Sequence, residues 1–333
     1  MKKLMLPLLG LIFAMVLLLL FGHVATASAK TGVETDKFAQ PHNLLAAETS
    51  YFTLTSSDAF TVYLPLVHGP RTLSLKRGLG IFAAPACTDL ANLKAAWYLN
   101  WKVSPDPTCG GANADKFVPR IYGANEMPLL AQAIANAQAS GWLIGFSEPN
   151  LPWQGNLSPA QGAILWKQIE NAAIPAGIKL VSPSPNQYNP GQADPYGYLW
   201  LWAMVDAYKS QNGGQSPHFD AIGWNIYKRT PGEIEAYLTA RHNEGLARGY
   251  DVPIWVLEYG GECWNSASGN TGNQAIMTTT TAWLDSIPWI GRYAWFANRI
   301  VGTEPGAPGW QSCSLINPSV GTLTALGQTY STY

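Results

Sequence analysis

Two apolar runs in this chain each end on one glutamate. Gly141-Trp142-Leu143-Ile144-Gly145-Phe146-Ser147 leads into Glu148-Pro149-Asn150, and Val252-Pro253-Ile254-Trp255-Val256-Leu257 leads into Glu258-Tyr259-Gly260-Gly261. Each run reads as a strand buried on both faces. Pro149 has no N–H to give a sheet and holds the residue before it extended, so Glu148 stands where the backbone leaves the strand. A lone glutamate at a strand end can be a simple loop anchor. Two of them, each followed by a structure breaker, suggest paired carboxyl chemistry. Burial and a like-charged neighbour keep one carboxyl protonated while the other stays ionised. Set roughly 5 Å apart, such a pair can break a glycosidic bond with retention of configuration.

A framework must bring the two together. Eight strand candidates fall at residues 78–82, 96–101, 117–122, 142–146, 179–182, 221–227, 254–258 and 292–296. Helical stretches read at 127–140, 159–173, 198–209, 231–248, 275–286 and near 321–330. Ser158-Pro159 and Thr230-Pro231 each set a good N-cap before a proline at the first helical position. Alternation of buried strands and helices predicts a parallel α/β sheet, and eight units predict a (β/α)8 TIM barrel as a single catalytic domain over 77–333. In that fold the carboxyl ends of the strands share one mouth. An open doubly wound sheet is the competing architecture, but no Gly-rich phosphate loop follows the first strand.

The chain before residue 77 reads differently. Met1-Lys2-Lys3, the apolar stretch from Leu4 to Phe21 and the small residues Ala25-Thr26-Ala27-Ser28-Ala29 spell an export signal over 1–29. The apolar stretch is long enough that an uncleaved anchor is the competing reading. No cysteine near the cleavage region could carry a lipid. Residues 30–76 read as a poorly ordered tail or linker. One strand-like run, 61–67, lies within it, and Pro65 would confine that run to a sheet edge.

Composition narrows the partners. Lys and Arg total 20 against 21 Asp and Glu, and only 12% of the 333 residues are charged. That is about half the usual share, with no basic run in the mature part, which argues against nucleic acid. Fourteen Trp and fifteen Tyr offer aromatic faces that suit neutral sugar rings. The expected partner is therefore a polysaccharide or oligosaccharide bound by a secreted monomer, with no stable membrane association after cleavage. No cofactor and no metal are expected, and no G-x-S-x-G elbow is present for a serine hydrolase.

Further polar and aromatic residues fall at equivalent strand ends. Asn100 and Trp101 end the second, Tyr122 the third, Asn225 and Tyr227 the sixth, and Trp295 the eighth. Trp153 follows Asn150 in a loop, and Ser147 adjoins Glu148. Tyr227 could orient the nucleophile, and Trp101 and Trp295 could stack on sugars, although barrel packing explains aromatic residues equally well. Four cysteines in an exported chain suggest two disulfides. Cys87 and Cys109 follow the first two strands and Cys263 and Cys313 the last two, so adjacency of the following loops predicts 87–109 and 263–313. A zinc site lacks C-x-x-C spacing or a nearby histidine cluster.

Taken together, several stretches resemble clan A glycoside hydrolases. They are Arg77-Gly78-Leu79-Gly80, Trp97-Tyr98-Leu99-Asn100-Trp101, Phe117-Val118-Pro119, Phe146-Ser147-Glu148-Pro149-Asn150, Pro253-Ile254-Trp255-Val256-Leu257-Glu258-Tyr259 and Arg292-Tyr293-Ala294-Trp295-Phe296. Their order most resembles glycoside hydrolase family 128, the alkali-sensitive-linkage-protein-like β-1,3-glucanases. The resemblance implies a retaining enzyme with Glu148 as acid/base, Glu258 as nucleophile and a β-glucan, most often β-1,3-linked, as substrate. It also implies two departures. Ser147 stands where the family has an asparagine that contacts the sugar 2-hydroxyl, and Asn225-Ile226-Tyr227 keeps only the tyrosine of a His-Trp-Tyr pattern. Both bear on which glycan is cleaved; a mannan or xylan hydrolase and a catalytically weak carbohydrate-binding protein are the alternatives.

Overall fold

The computed structural model describes backbone strands at 27–28, 51–55 and 61–65, and residues 74–333 apart from 110, 112, 192–195, 262, 265–268 and 304–308. The chain divides into two units, Met1–Thr72 and Leu73–Tyr333. In the first, Ala27–Ser28, Tyr51–Thr55 and Thr61–Pro65 form an antiparallel sheet, and the strand carrying Pro65 lies at its edge. There the missing N–H of proline costs no internal ladder bond. The apolar leader from Leu4 to Phe21 lies outside the described residues.

The second unit alternates strand and helix. Its strands are β1 (Arg77–Gly80), β2 (Trp97–Leu99), β3 (Trp142–Ile144), β4 (Lys179–Val181), β5 (Ile222–Tyr227), β6 (Ile254–Gly260) and β7 (Ile290–Trp295). All pair in parallel: β2, β1, β7, β6 and β5 form one ladder, and β3 with β4 form another. Single parallel bridges connect the ladders around the ring, Val181 to Ala221 on one side and Tyr98 to Phe117 and Arg120 to Ile144 on the other.

The expected strand at 117–122 is therefore an irregular stave rather than a ladder member. Pro119 is the reason, since it offers no donor to either neighbour. The rest of the segment still bonds on both sides: Val118 N donates to Tyr98 O at 2.9 Å and Ile121 N to Ile144 O at 3.1 Å. Seven strands and this stave make the eight positions around an α/β barrel.

The helices are α1 (Ala86–Leu93), α2 (Leu130–Ala137), α3 (Pro159–Ala173), α4 (Leu199–Gln211), α5 (Pro231–Ala247), α6 (Gly269–Ser286) and α7 (Ala325–Tyr330). Ser158 and Thr230 close full capping boxes with Gln161 and Glu233, which fixes where α3 and α5 begin. The helix expected over 127–140 instead starts as a 3-10 turn, Ala124–Leu129, because Pro128 has no N–H for an α-helical bond. α1 was not anticipated: it is short and has no side-chain cap.

Two cores result. Inside the ring, Leu99, Val118, Ile144, Val181, Leu257 and Ala294 meet from six different staves. Outside it, the strands pack under the helices in a larger cluster. Gly78 is required by the inner packing, since a Cβ there would fall 2.2 Å from the Trp97 ring. Cys87 is bonded to Cys109 and Cys263 to Cys313, with Cα separations of 5.1 and 5.4 Å. Each bond joins the segments that follow neighbouring strands, Cys87 from the first turn of α1.

Candidate active site

The carboxyl ends of the strands open into a cleft of about 1340 Å³ whose lining includes Glu148 and Glu258. Glu148 follows β3 with a left-handed φ of 42° instead of the extended backbone expected before Pro149, because the turn must swing its side chain into the mouth where the strand stops. That conformation costs a non-glycine residue energy and is typical of functional positions. Its N–H donates to Ser184 O at 2.9 Å, and its own carbonyl accepts from Leu151 N at 3.0 Å, so the turn is held from both sides.

Glu148 is 6% exposed, and its Oε1 accepts from Asn186 Nδ2 at 2.7 Å and Asn225 Nδ2 at 3.0 Å. Burial, then the charge of Glu258, push its carboxyl up to about 7, against the opposing pull of the two carboxamides and Arg120. Near neutral pH this group can both give and take a proton.

Glu258 lies on β6, one position beyond a bulge that pairs Val256 with Trp224 but Glu258 with Asn225. The bulge re-aims the side chain. Both oxygens are engaged: Trp101 Nε1 donates to Oε1 at 2.7 Å and the Tyr227 hydroxyl to Oε2 at 2.6 Å. Burial and the two carboxylates raise the Tyr227 hydroxyl well above its usual range, so it stays a donor. Asn225, the register partner of Glu258, is hydrogen-bonded to Glu148, which ties the two carboxyl groups to one short stretch of β5.

The other predicted residues separate into groups. Asn100, Trp101, Tyr122, Ser147, Trp153 and Tyr227 line the cleft. Trp101 also has a positive φ, 56°, and its ring fits because Gly80 faces it, where a Cβ would come within 2.9 Å. Tyr122 donates to Gln154, and burial pushes its hydroxyl up to about 12. Trp153 is 65% exposed.

Two expectations are corrected. Trp295 is fully buried in the outer core; its Nε1 donates to Cys313 O at 2.8 Å and its ring meets Tyr259 edge-on, so it offers no face to a ligand. β-Strand alternation turns it away from the mouth. Asn225 is also fully buried and reaches Glu148 instead of the cleft, so it positions the carboxyl rather than touching substrate.

Other contributors carried no readable motif. Asn186 comes from the loop after β4, held by Asn150 Oδ1 accepting from its backbone N at 2.9 Å. Gln187 makes a reciprocal pair with the backbone of Tyr227, at 2.6 and 2.8 Å. Arg120 is fully buried beneath Glu148, where it donates to Gly145 O at 3.0 Å and Phe146 O at 2.8 Å. Phe296, Trp264 and Trp310 add an aromatic wall around Tyr227, with ring centroids 5.3–6.1 Å away. Among the described residues, no group of three or more His, Cys, Asp or Glu could hold a metal ion, and no helix is long and apolar enough to cross a membrane.

Comparison with known proteins gives the same framework. The family model described as glycosyl hydrolase catalytic core matches residues 81–330. Alkali-sensitive linkage protein 1 of Schizosaccharomyces pombe is 26% identical over 268 residues, which are 78% of this chain but 45% of that protein. The chain thus spans less than half the length of this curated relative. Among solved structures, a subgroup II GH128 endo-β-1,3-glucanase from Pseudomonas viridiflava superposes with a TM-score of 0.64 at 28% identity, covering 78% of this chain and 97% of that one. A subgroup I endo-β-1,3-glucanase variant from Amycolatopsis mediterranei in complex with laminaripentaose gives 0.58 at 26% identity, covering 78% and 99%.

Proposed function

Since the chain belongs to the glycosyl hydrolase catalytic core family, we propose that it is a retaining β-1,3-glucanase with Glu148 as general acid/base and Glu258 as nucleophile. One observation carries the reading: two buried carboxyl groups share the Asn225–Glu258 pair, one lifted to about 7, the other gripped at both oxygens. The protonated Glu148 would give its proton to the departing glycosidic oxygen while Glu258 Oε attacks the anomeric carbon. Glu148, now ionised, would take a proton from water as that water displaces Glu258. Trp101 and Tyr227 would hold Glu258 aligned through both steps, and the Tyr227 bond would weaken as that oxygen loses charge.

The β-1,3 assignment draws on the GH128 glucanases and the laminaripentaose complex. Ser147 puts a short hydroxyl on the cleft lining where the resemblance implies an asparagine. The two disulfides suit an oxidising compartment. They support reading 1–29 as an export leader; the same proposal takes 30–76 as a tail or linker and 77–333 as the catalytic domain of a secreted monomer. Incubating the purified protein with a panel of β-1,3-glucan, mannan and xylan, with product mass analysis, tests the proposal. Release of oligosaccharides from the β-1,3-glucan is expected. Release from mannan or xylan alone would overturn the linkage, and no release from any would overturn the activity.

A further inference from the structure

Beside the cleft lies a second hollow of about 430 Å³, and the two share Lys228 and Glu233 on their linings. One wall is a single side of α5. Glu233, Ala236, Tyr237, Ala240 and Arg241 recur at three- and four-residue steps, which aligns them along one helix face. From Glu233 to Arg241 that face runs about 12 Å. The opposite wall is the short turn Tyr196–Tyr198 that precedes α4.

Ala236 and Ala240 are exposed and contribute only methyl groups, so the space between helix and tyrosines stays open. Tyr196 is 46% exposed, with its ring 6.2 Å from that of Tyr198. Tyr198 is braced in turn, because the Arg241 guanidinium carbon lies 3.4 Å from its ring centroid and Arg241 pairs with Glu244. The rim is fixed as well: Glu233 accepts from Thr230 N and Oγ1, both at 2.9 Å. Rigid aromatic faces beside a mixed pair of charges suit a neutral polyhydroxyl ligand, which offers apolar ring faces and hydroxyl edges. A strongly anionic ligand would meet Glu233 at the entrance.

We propose that this hollow is a remote subsite for the glucan chain, occupied by sugar residues that leave the cleft over the Lys228–Glu233 rim. The proposal rests on the hydrolase reading above. The occupant is the same polymer because the linings of cleft and hollow are continuous at that rim. A short oligosaccharide that fills the cleft ends before the hollow; a polymer continues into it. Tyr196 is absent from the cleft lining, so its contribution is confined to long substrates.

Steady-state kinetics on a β-1,3-glucan polymer and on a β-1,3-linked trisaccharide test this with two variants. Tyr196→Ala removes the platform, and Ala240→Gln, a good helix former, fills the hollow without disturbing α5. Each should raise KM for the polymer roughly three- to tenfold, the equivalent of one aromatic contact. Trisaccharide kinetics and melting temperature should be unchanged. Unchanged polymer KM in both variants, or equal losses on both substrates, would overturn the remote subsite while leaving the hydrolase reading intact. Wild-type protein inert on both substrates would overturn that reading, and the subsite with it.

Discussion

The two ends of the barrel bury charge in opposite ways. At the amino ends of the strands, the Arg292 guanidinium carbon sits over the rings of Trp255, Trp97 and Trp142 at 4.4, 5.4 and 5.8 Å. Burial pulls its pKa down to about 10, and its Nη1 has no hydrogen-bond partner among the described residues. Dispersion and cation–π attraction hold it. At the carboxyl ends, Glu148 and Glu258 are also buried among aromatic rings, yet four side chains donate to them: Asn186, Asn225, Trp101 and Tyr227. That end opens into a cleft. Polar groups concentrated where the structure is open suit chemistry, whereas a half-buried charge laid against apolar rings suits packing.

The largest expected effect sharpens this contrast at the mouth. Glu148→Gln should lower turnover of unactivated glucan roughly 10²- to 10⁴-fold, the range of general acid–base catalysis, and Glu258→Ala at least as much. Circular dichroism should show the barrel intact for both. Loss of fold in step with activity would make these carboxylates structural.

Charge state gives the same site a pH signature. A carboxyl raised from 4.5 to about 7 by folding holds its proton more tightly in the native state. Its stabilising contribution is full below pH 4.5 and is lost as pH rises through 7. Glu148→Gln should therefore melt with the wild type at pH 4 and above it at pH 8. Wild-type kcat/KM should decline on the alkaline side with an apparent pKa near 7. A stability gap that does not change with pH would remove burial as the cause of the shift.

At the other end the sign reverses, with stability lost and activity kept. Arg292→Ala should strip the half-buried packing from three tryptophans and cost about 0.5–3 kcal/mol in denaturant unfolding. Arg292→Met should cost under about 1.5 kcal/mol, since it keeps volume and removes an incompletely paired charge. Both should retain wild-type kcat/KM below their melting temperatures. A catalytic defect in Arg292→Met would break the division between the two ends.

Smaller effects grade the residues around Glu258. Trp101→Phe keeps a ring but removes the donor to Oε1, and should reduce kcat roughly 10- to 100-fold with little change in stability. Trp153→Ala should raise KM only a few fold, as expected for one exposed ring, without moving the melting temperature. An unchanged kcat in Trp101→Phe would show that Tyr227 alone aligns the carboxylate.

What the sequence reveals follows the range of the interactions involved. α3 and α5 begin where Ser158 and Thr230 stand because capping boxes close within four residues. Glu148 and Glu258 are readable because each closes a run of apolar neighbours. The cysteine pairs 87–109 and 263–313 follow from strand adjacency, itself a consequence of parallel order. Asn186 and Gln187 are not readable, since their partners lie 38 and 40 residues away, beyond the end of β3 and on β5. Trp295 lies in the outer core rather than at the mouth because a strand end offers both faces, and only the observed register decides which one a side chain takes. Residues 117–122 read as the third strand and do fill that place in the ring, but Pro119, overlooked in that reading, has no N–H to donate and interrupts the ladder there.

The central claim is the division of roles between the two glutamates, and trapping the covalent intermediate tests it most directly. The enzyme would be incubated with a 2-deoxy-2-fluoro β-glucosyl donor bearing a good leaving group, then digested and mapped by mass spectrometry. The account predicts a single glycosyl ester on Glu258, formed also in Glu148→Gln because that leaving group needs no proton. An ester on Glu148 or on any other residue, or an unlabelled enzyme that releases product of inverted configuration, would contradict it.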